Sequence, residues 1–87
     1  MVVVRIPSLL AAQARGQGTF EVEAATVDEA LRALPVADLL IDERGELRRL
    51  VNVYVDGEDA RRVDGLETPL DGVEVVQVIA AVAGGRD

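Results

Sequence analysis

The stretch VEVVQVIAAV, Val73 to Val82, decides the fold. Val73, Val75, Gln77 and Ile79 fall on one side of an extended chain; Glu74, Val76 and Val78 fall on the other. That period of two is a strand, and its nearly continuous apolar character suits a central position covered on both faces. The natural neighbour is the β-branched run Val2 to Ile6, interrupted only by Arg5 and ended by Pro7. Strands this far apart in sequence, side by side across a helical crossover, run parallel.

The segments between them supply the rest. AAQARGQG (11–18) reads as a loop, punctuated by Gly16 and Gly18. TFEVEA (19–24) alternates Phe20 and Val22 against Thr19, Glu21 and Glu23, a strand with one wet face. TVDEALRALP (26–35) is the strongest local signal. Thr26 with Glu29 is a capping box, and Val27, Ala30, Leu31 and Leu34 form one helical stripe that Pro35 stops. VADLLIDERGEL (36–47) continues as a short second helix that breaks near Gly45. Val51, Val53 and Val55 alternate with Asn52 and Tyr54 in a further strand, and Asp56-Gly57 is a hairpin turn. A short edge strand is expected over Ala60–Val63, and Leu66 and Leu70 plug the end of the core. Strand, strand, helix and further strands make an α+β layer fold with a mixed sheet on one main helix. With a parallel central pair this is the β-grasp, expected over residues 1–81, with a flexible tail over 82–87.

Composition narrows the function classes. The chain has 87 residues and contains neither cysteine nor histidine. Disulfides, thiolate zinc sites and Ser–His or Cys–His nucleophiles are therefore excluded. All its cations are arginine, so no side-chain amine can form a Schiff base. A net charge of −7 argues against nucleic-acid binding, which needs a basic face. No apolar run approaches the roughly 20 residues that span a bilayer, and MVVVRIPSLLAA lacks the basic start of a signal peptide. The expectation is a cytoplasmic domain that is not itself an enzyme and needs no membrane. DGEDARRVDG misses the calcium-loop spacing, so no metal is expected. RGQG opens no helix and lacks the geometry of a phosphate cradle.

The second half carries a family resemblance. VNVYVDGED (51–59), GLETPLDG (65–72) and VAGG (82–85), in that order and spacing, resemble the ThiS/MoaD family of ubiquitin-like sulfur carriers. The likeness is strongest to its cysteine-synthesis branch. MVVVRIPSLL and the helix at Thr26 sit where that family has its first strand and helix, so nearly the whole chain is covered. The resemblance implies that an ATP-using, E1-like enzyme adenylates the carboxylate of Gly85. Sulfur from a persulfide protein then displaces AMP, and the resulting thiocarboxylate serves an acceptor synthase. The chain itself binds no cofactor; ATP belongs to the activating partner. Gly84 and Gly85 suit an arm that threads a narrow channel, since glycine lets backbone approach closely at any φ.

Carriers of this family finish at the second glycine, whereas here Arg86 and Asp87 follow. A peptidase of the metalloprotease class could cleave between Gly85 and Arg86. Alternatively, the activating enzyme tolerates the two residues, or the protein is not activated. The resemblance also implies an apolar docking patch on the outer sheet face, at Ala60, Ile79 and Val82; Ile79 as plain core is the alternative. Arg48-Arg49 and Arg61-Arg62 read as solvated strand ends, with Arg61 the candidate contact to a partner's acidic rim. Two other function classes stay open: a ubiquitin-like modifier conjugated through Gly85, and a β-grasp interaction module with an inert tail.

Overall fold

The computed structural model describes residues 1–80. Five strands form one sheet: β1 (Val2–Arg5), β2 (Thr19–Val22), β3 (Val51–Val55), β4 (Glu58–Asp59) and β5 (Val75–Ala80). Their spatial order is β2-β1-β5-β3-β4. β1 and β5 run parallel at the centre, with Val3, Val4 and Arg5 beside Val75, Val76 and Gln77. The β1–β2, β3–β5 and β3–β4 pairs are antiparallel. This is the mixed sheet of a β-grasp, as the apolar runs at either end of the sequence require.

The helix α2 (Val27–Arg32) starts where the capping box places it. The Glu29 N–H donates to Thr26 Oγ1 at 3.3 Å, and Glu29 Oε1 accepts from the Ala25 N–H at 2.9 Å. The carboxylate thus serves the residue before the cap, so entry and first turn are fixed together. Val27, Ala30 and Leu31 are fully buried against Val4, Val53, Val76 and Val78, the inward residues of the three central strands. Segment 68–70 closes the end of this layer. Val27 N donates to Thr68 O, Leu70 N donates to Ala25 O, and Leu70 is buried while Leu66 packs partly against the core.

Four local expectations need correction. The stretch read as a loop (11–18) begins on the last residue of a helical turn, α1 (Ser8–Ala11), and holds a 3₁₀ turn over Ala12–Ala14. Leu10, Ala11 and Ala14 are buried there, in turns too short to display a helical period. The helix α3 (Ala37–Leu40) is one turn long and ends well before Gly45. Ile41 leaves it in extended conformation and bridges Leu47, closing a loop on the Asp42 carboxylate. The edge strand is Glu58–Asp59; Ala60–Arg62 is a 3₁₀ turn capped by Asp59 Oδ1, which accepts from Arg61 N. Finally, β5 is central but covered on one face only: Gln77 and Ile79 are exposed. Among the described residues, no helix is long and apolar enough to cross a membrane.

Candidate functional site at the root of the C-terminal segment

The outer face of the sheet is built by alternation. Because Val76 and Val78 turn inward, Val75, Gln77 and Ile79 turn outward, and the register sets their neighbours. Gln77 lies between Arg5 on β1 and Tyr54 on β3, and Ile79 lies opposite Asn52. Ile79 is 44% exposed, too open for a core residue. Its position one residue from the end of the described chain puts an apolar side chain at the root of the segment that carries the two glycines.

The expected patch does not assemble as proposed. Ala60 is 1% exposed and faces the core, because the 3₁₀ turn after β4 rotates it inward rather than leaving it on an edge strand. It is withdrawn from the outer face. Asn52, Tyr54 and Gln77, which share that face with Ile79, replace it as neighbours. The period-two reading of VNVYV already placed Asn52 and Tyr54 opposite the buried valines, so that signal was present in the sequence. Val82, Gly84, Gly85 and Arg86 lie outside the described residues.

Arg61 is not simply a solvated strand end. One guanidinium nitrogen donates to Asn52 Oδ1 at 2.7 Å and the other to the Arg48 carbonyl at 2.9 Å. The side chain therefore braces β3 from the adjoining turn and fixes the amide that faces Ile79. Arg48 is likewise engaged, its Nε and one terminal nitrogen donating to the Asp38 carbonyl at 3.1 and 2.9 Å.

Among the described residues, no group of acidic side chains is arranged to hold a metal ion. No buried side-chain polar atom lacks a partner there. The Asp42 carboxyl is held below the usual aspartate range chiefly by the Glu46 backbone N–H and further by the Arg44 N–H and guanidinium. It organises a turn of its own loop. The outward Ile79, with Asn52, Tyr54 and Gln77 beside it, is the feature the described surface presents next to residue 80.

Comparison with known proteins decides the family. The model of the ThiS family matches residues 6–85. This chain is a member of the ThiS family. The family match ends at Gly85, with Arg86 and Asp87 beyond it. Among ThiS-family relatives, the sulfur carrier protein CysO of Mycobacterium tuberculosis is 34% identical over 91 residues, covering 97% of this chain and 98% of the relative. Small archaeal modifier protein 3 of Haloferax volcanii is 39% identical over 66 residues, covering 70% of this chain and 71% of the relative. A solved structure of the Amycolatopsis orientalis BexX/CysO complex contains a chain that superposes with a TM-score of 0.81. It is 33% identical and covers 98% of this chain and 100% of that one.

Proposed function

We propose that this ThiS-family chain is a sulfur carrier and that the charged group is the carboxylate of Gly85. Near full-length similarity to a sulfur carrier protein carries this reading, together with a family match whose last residue is Gly85. In the first step, a Gly85 carboxylate oxygen attacks the α-phosphorus of ATP and pyrophosphate leaves, giving an acyl adenylate. In the second, the terminal sulfur of a protein persulfide attacks the acyl carbon and AMP leaves. A second thiol then cleaves the acyl disulfide, forming a protein disulfide and releasing the thiocarboxylate. No side chain of the carrier takes part, which fits a sequence lacking cysteine and histidine. The activating enzyme binds the ATP and supplies the groups that stabilise transition-state charge. The carrier contributes an arm narrow enough to reach them and a face to hold it there.

The partners proposed are an E1-like adenylating enzyme, a persulfide-bearing sulfur donor and a synthase that accepts the sulfur. That a relative crystallises in complex with another protein supports such partnering. Because the sequence continues past Gly85, the chemistry requires cleavage between Gly85 and Arg86, which makes the longer chain a stored form.

The test compares the full chain with one ending at Gly85. Each is incubated with the activating enzyme of the same organism, ATP and a persulfide donor, and intact mass is recorded. The shorter chain should gain the mass difference between sulfur and oxygen while the longer one should not. Thiocarboxylate on neither chain would overturn the carrier reading; modification of a longer chain with Asp87 still attached would overturn the role of cleavage.

A further inference from the structure

The root of the C-terminal segment has a second flank. Neighbouring residues of a strand point to opposite faces, so where Ile79 faces the outer surface, Ala80 faces the other way. There it lines an open groove with Leu39 of α3 and with Leu47, Arg48, Arg49 and Leu50 of the loop leading into β3, a groove lined also by Asp42, Arg44 and Glu46. Leu39 and Leu50 are 38% and 47% exposed and line this one groove together, a shared apolar patch rather than a lone exposed side chain. The charge is out of character. In a molecule of net charge −7, the groove is lined by three arginines against two carboxylates, and those carboxylates, Asp42 and Glu46, are both engaged by Arg44. Arg48 spends its donors on a neutral carbonyl, and Arg49 makes no hydrogen bond or ion pair among the described residues.

We infer that this groove is a docking surface for the activating enzyme, filled by an apolar side chain flanked by carboxylates. The inference rests on the carrier reading above. Charge complementarity selects the occupant: with Asp42 and Glu46 turned to Arg44, Arg48 and Arg49 stand beside the exposed leucines as cations without a carboxylate partner among the described residues, and they favour an acidic apolar segment over a basic one. Continuity selects the enzyme. The groove begins at Ala80, one residue after the outer face ends at Ile79, so a protein that draws in the segment beyond residue 80 meets both flanks of its root. Gripping both flanks would fix the direction in which the arm leaves the domain, which contact with one face alone cannot do.

Leu50→Ser and Arg49→Glu test it, since both side chains are exposed and neither holds a described contact that the fold needs. Circular dichroism and thermal melting of both variants establish that they fold. Affinity for the activating enzyme is measured by titration calorimetry on the full chain without ATP, at low and high salt. Each variant should weaken binding about fivefold or more, and Arg49→Glu should also flatten the salt dependence. Wild-type affinity in both folded variants, or no binding by the parent chain, overturns the assignment. Thiocarboxylate formation is followed separately on chains ending at Gly85. Weakened binding without thiocarboxylate in any chain would sink the carrier reading and leave the groove standing. Unchanged binding with normal thiocarboxylate would do the reverse.

Discussion

Ile79 and Val78 are adjacent on one strand yet should respond in opposite ways to the same substitution. Fully burying a branched aliphatic side chain contributes about 1.5–3 kcal/mol. Ile79 keeps 44% of its surface in water, so replacing it by Asp forfeits about half of that. Loss of strand preference adds about 1 kcal/mol at most, and the residue opposite is the neutral Asn52, so no like charge is set against the new carboxylate. The total is about 2 kcal/mol, which for a domain of this size lowers the melting temperature by about 8–16 °C and leaves it folded at 25 °C. Val78 is fully buried. Val78→Asp loses the whole burial term and places a carboxylate among valines, several kcal/mol more, comparable with the entire stability of the domain. Urea unfolding followed by circular dichroism should therefore show Ile79→Asp folded and Val78→Asp unfolded. ATP–pyrophosphate exchange by the activating enzyme, with carriers ending at Gly85, should then show a half-saturating concentration raised about tenfold or more for Ile79→Asp. Unfolding of that variant would refute the outward placement of Ile79. A folded variant with parental exchange kinetics would refute its docking role.

Three other outcomes follow from hydrogen bonding within the fold. Thr68 Oγ1 accepts from Asp64 N at 3.1 Å and donates to Gly65 O at 2.7 Å. Thr68→Val should cost about 1–2 kcal/mol by stranding that N–H, read by urea titration; a variant as stable as the parent would refute the account. Asp56 sits at φ 47° with its carboxylate accepting from Val75 N at 3.1 Å. Asp56→Ala should therefore cost about 2 kcal/mol, while Asp56→Asn, which tolerates that backbone and keeps an acceptor, should cost less than about 1 kcal/mol. Asp42 has a folded-state pKa lowered mainly by the Glu46 N–H. Its contribution is complete above the unfolded aspartate pKa of about 3.9 and is lost as pH falls through the lowered folded value. Acid titration monitored by NMR should show the 42–46 loop loosening below the ordinary aspartate range, and Asp42→Asn should abolish that step.

The sheet was legible because each of its central strands carries its own period. VEVVQVI and VVVRI are apolar enough to demand adjacent central places, and the capping box of TVDEALRALP fixes the crossover helix between them. What escaped was whatever depends on backbone rotation between elements. Ala60 follows a correctly read hairpin turn. The sequence does not say that Asp59 caps a 3₁₀ turn there, and that turn carries the alanine from the edge into the core. Ser8–Ala14 escaped for a related reason, since its turns are too short to display a helical period. Reading β5 as covered on both faces confused an apolar outer face with a buried one. Val75 and Ile79 are apolar for a surface that the domain alone does not cover.

That distinction explains how a chain without reactive side chains can be specific. If the acyl group is the backbone's own, nothing near the reacting carbon identifies the carrier to its enzyme, because two glycines offer no side chain to recognise. Discrimination has to come from the folded domain, through surface near enough to the root of the arm to govern where the glycines go. Ile79 on one flank and Ala80 on the other are the last places where the described fold can do this. An apolar patch left open in a small domain has a cost in solubility and in core material. Met1, Leu9 and Val63 are exposed elsewhere, but the outward Ile79 and the Leu39–Leu50 groove are the two open apolar features beside Ala80, the last described residue.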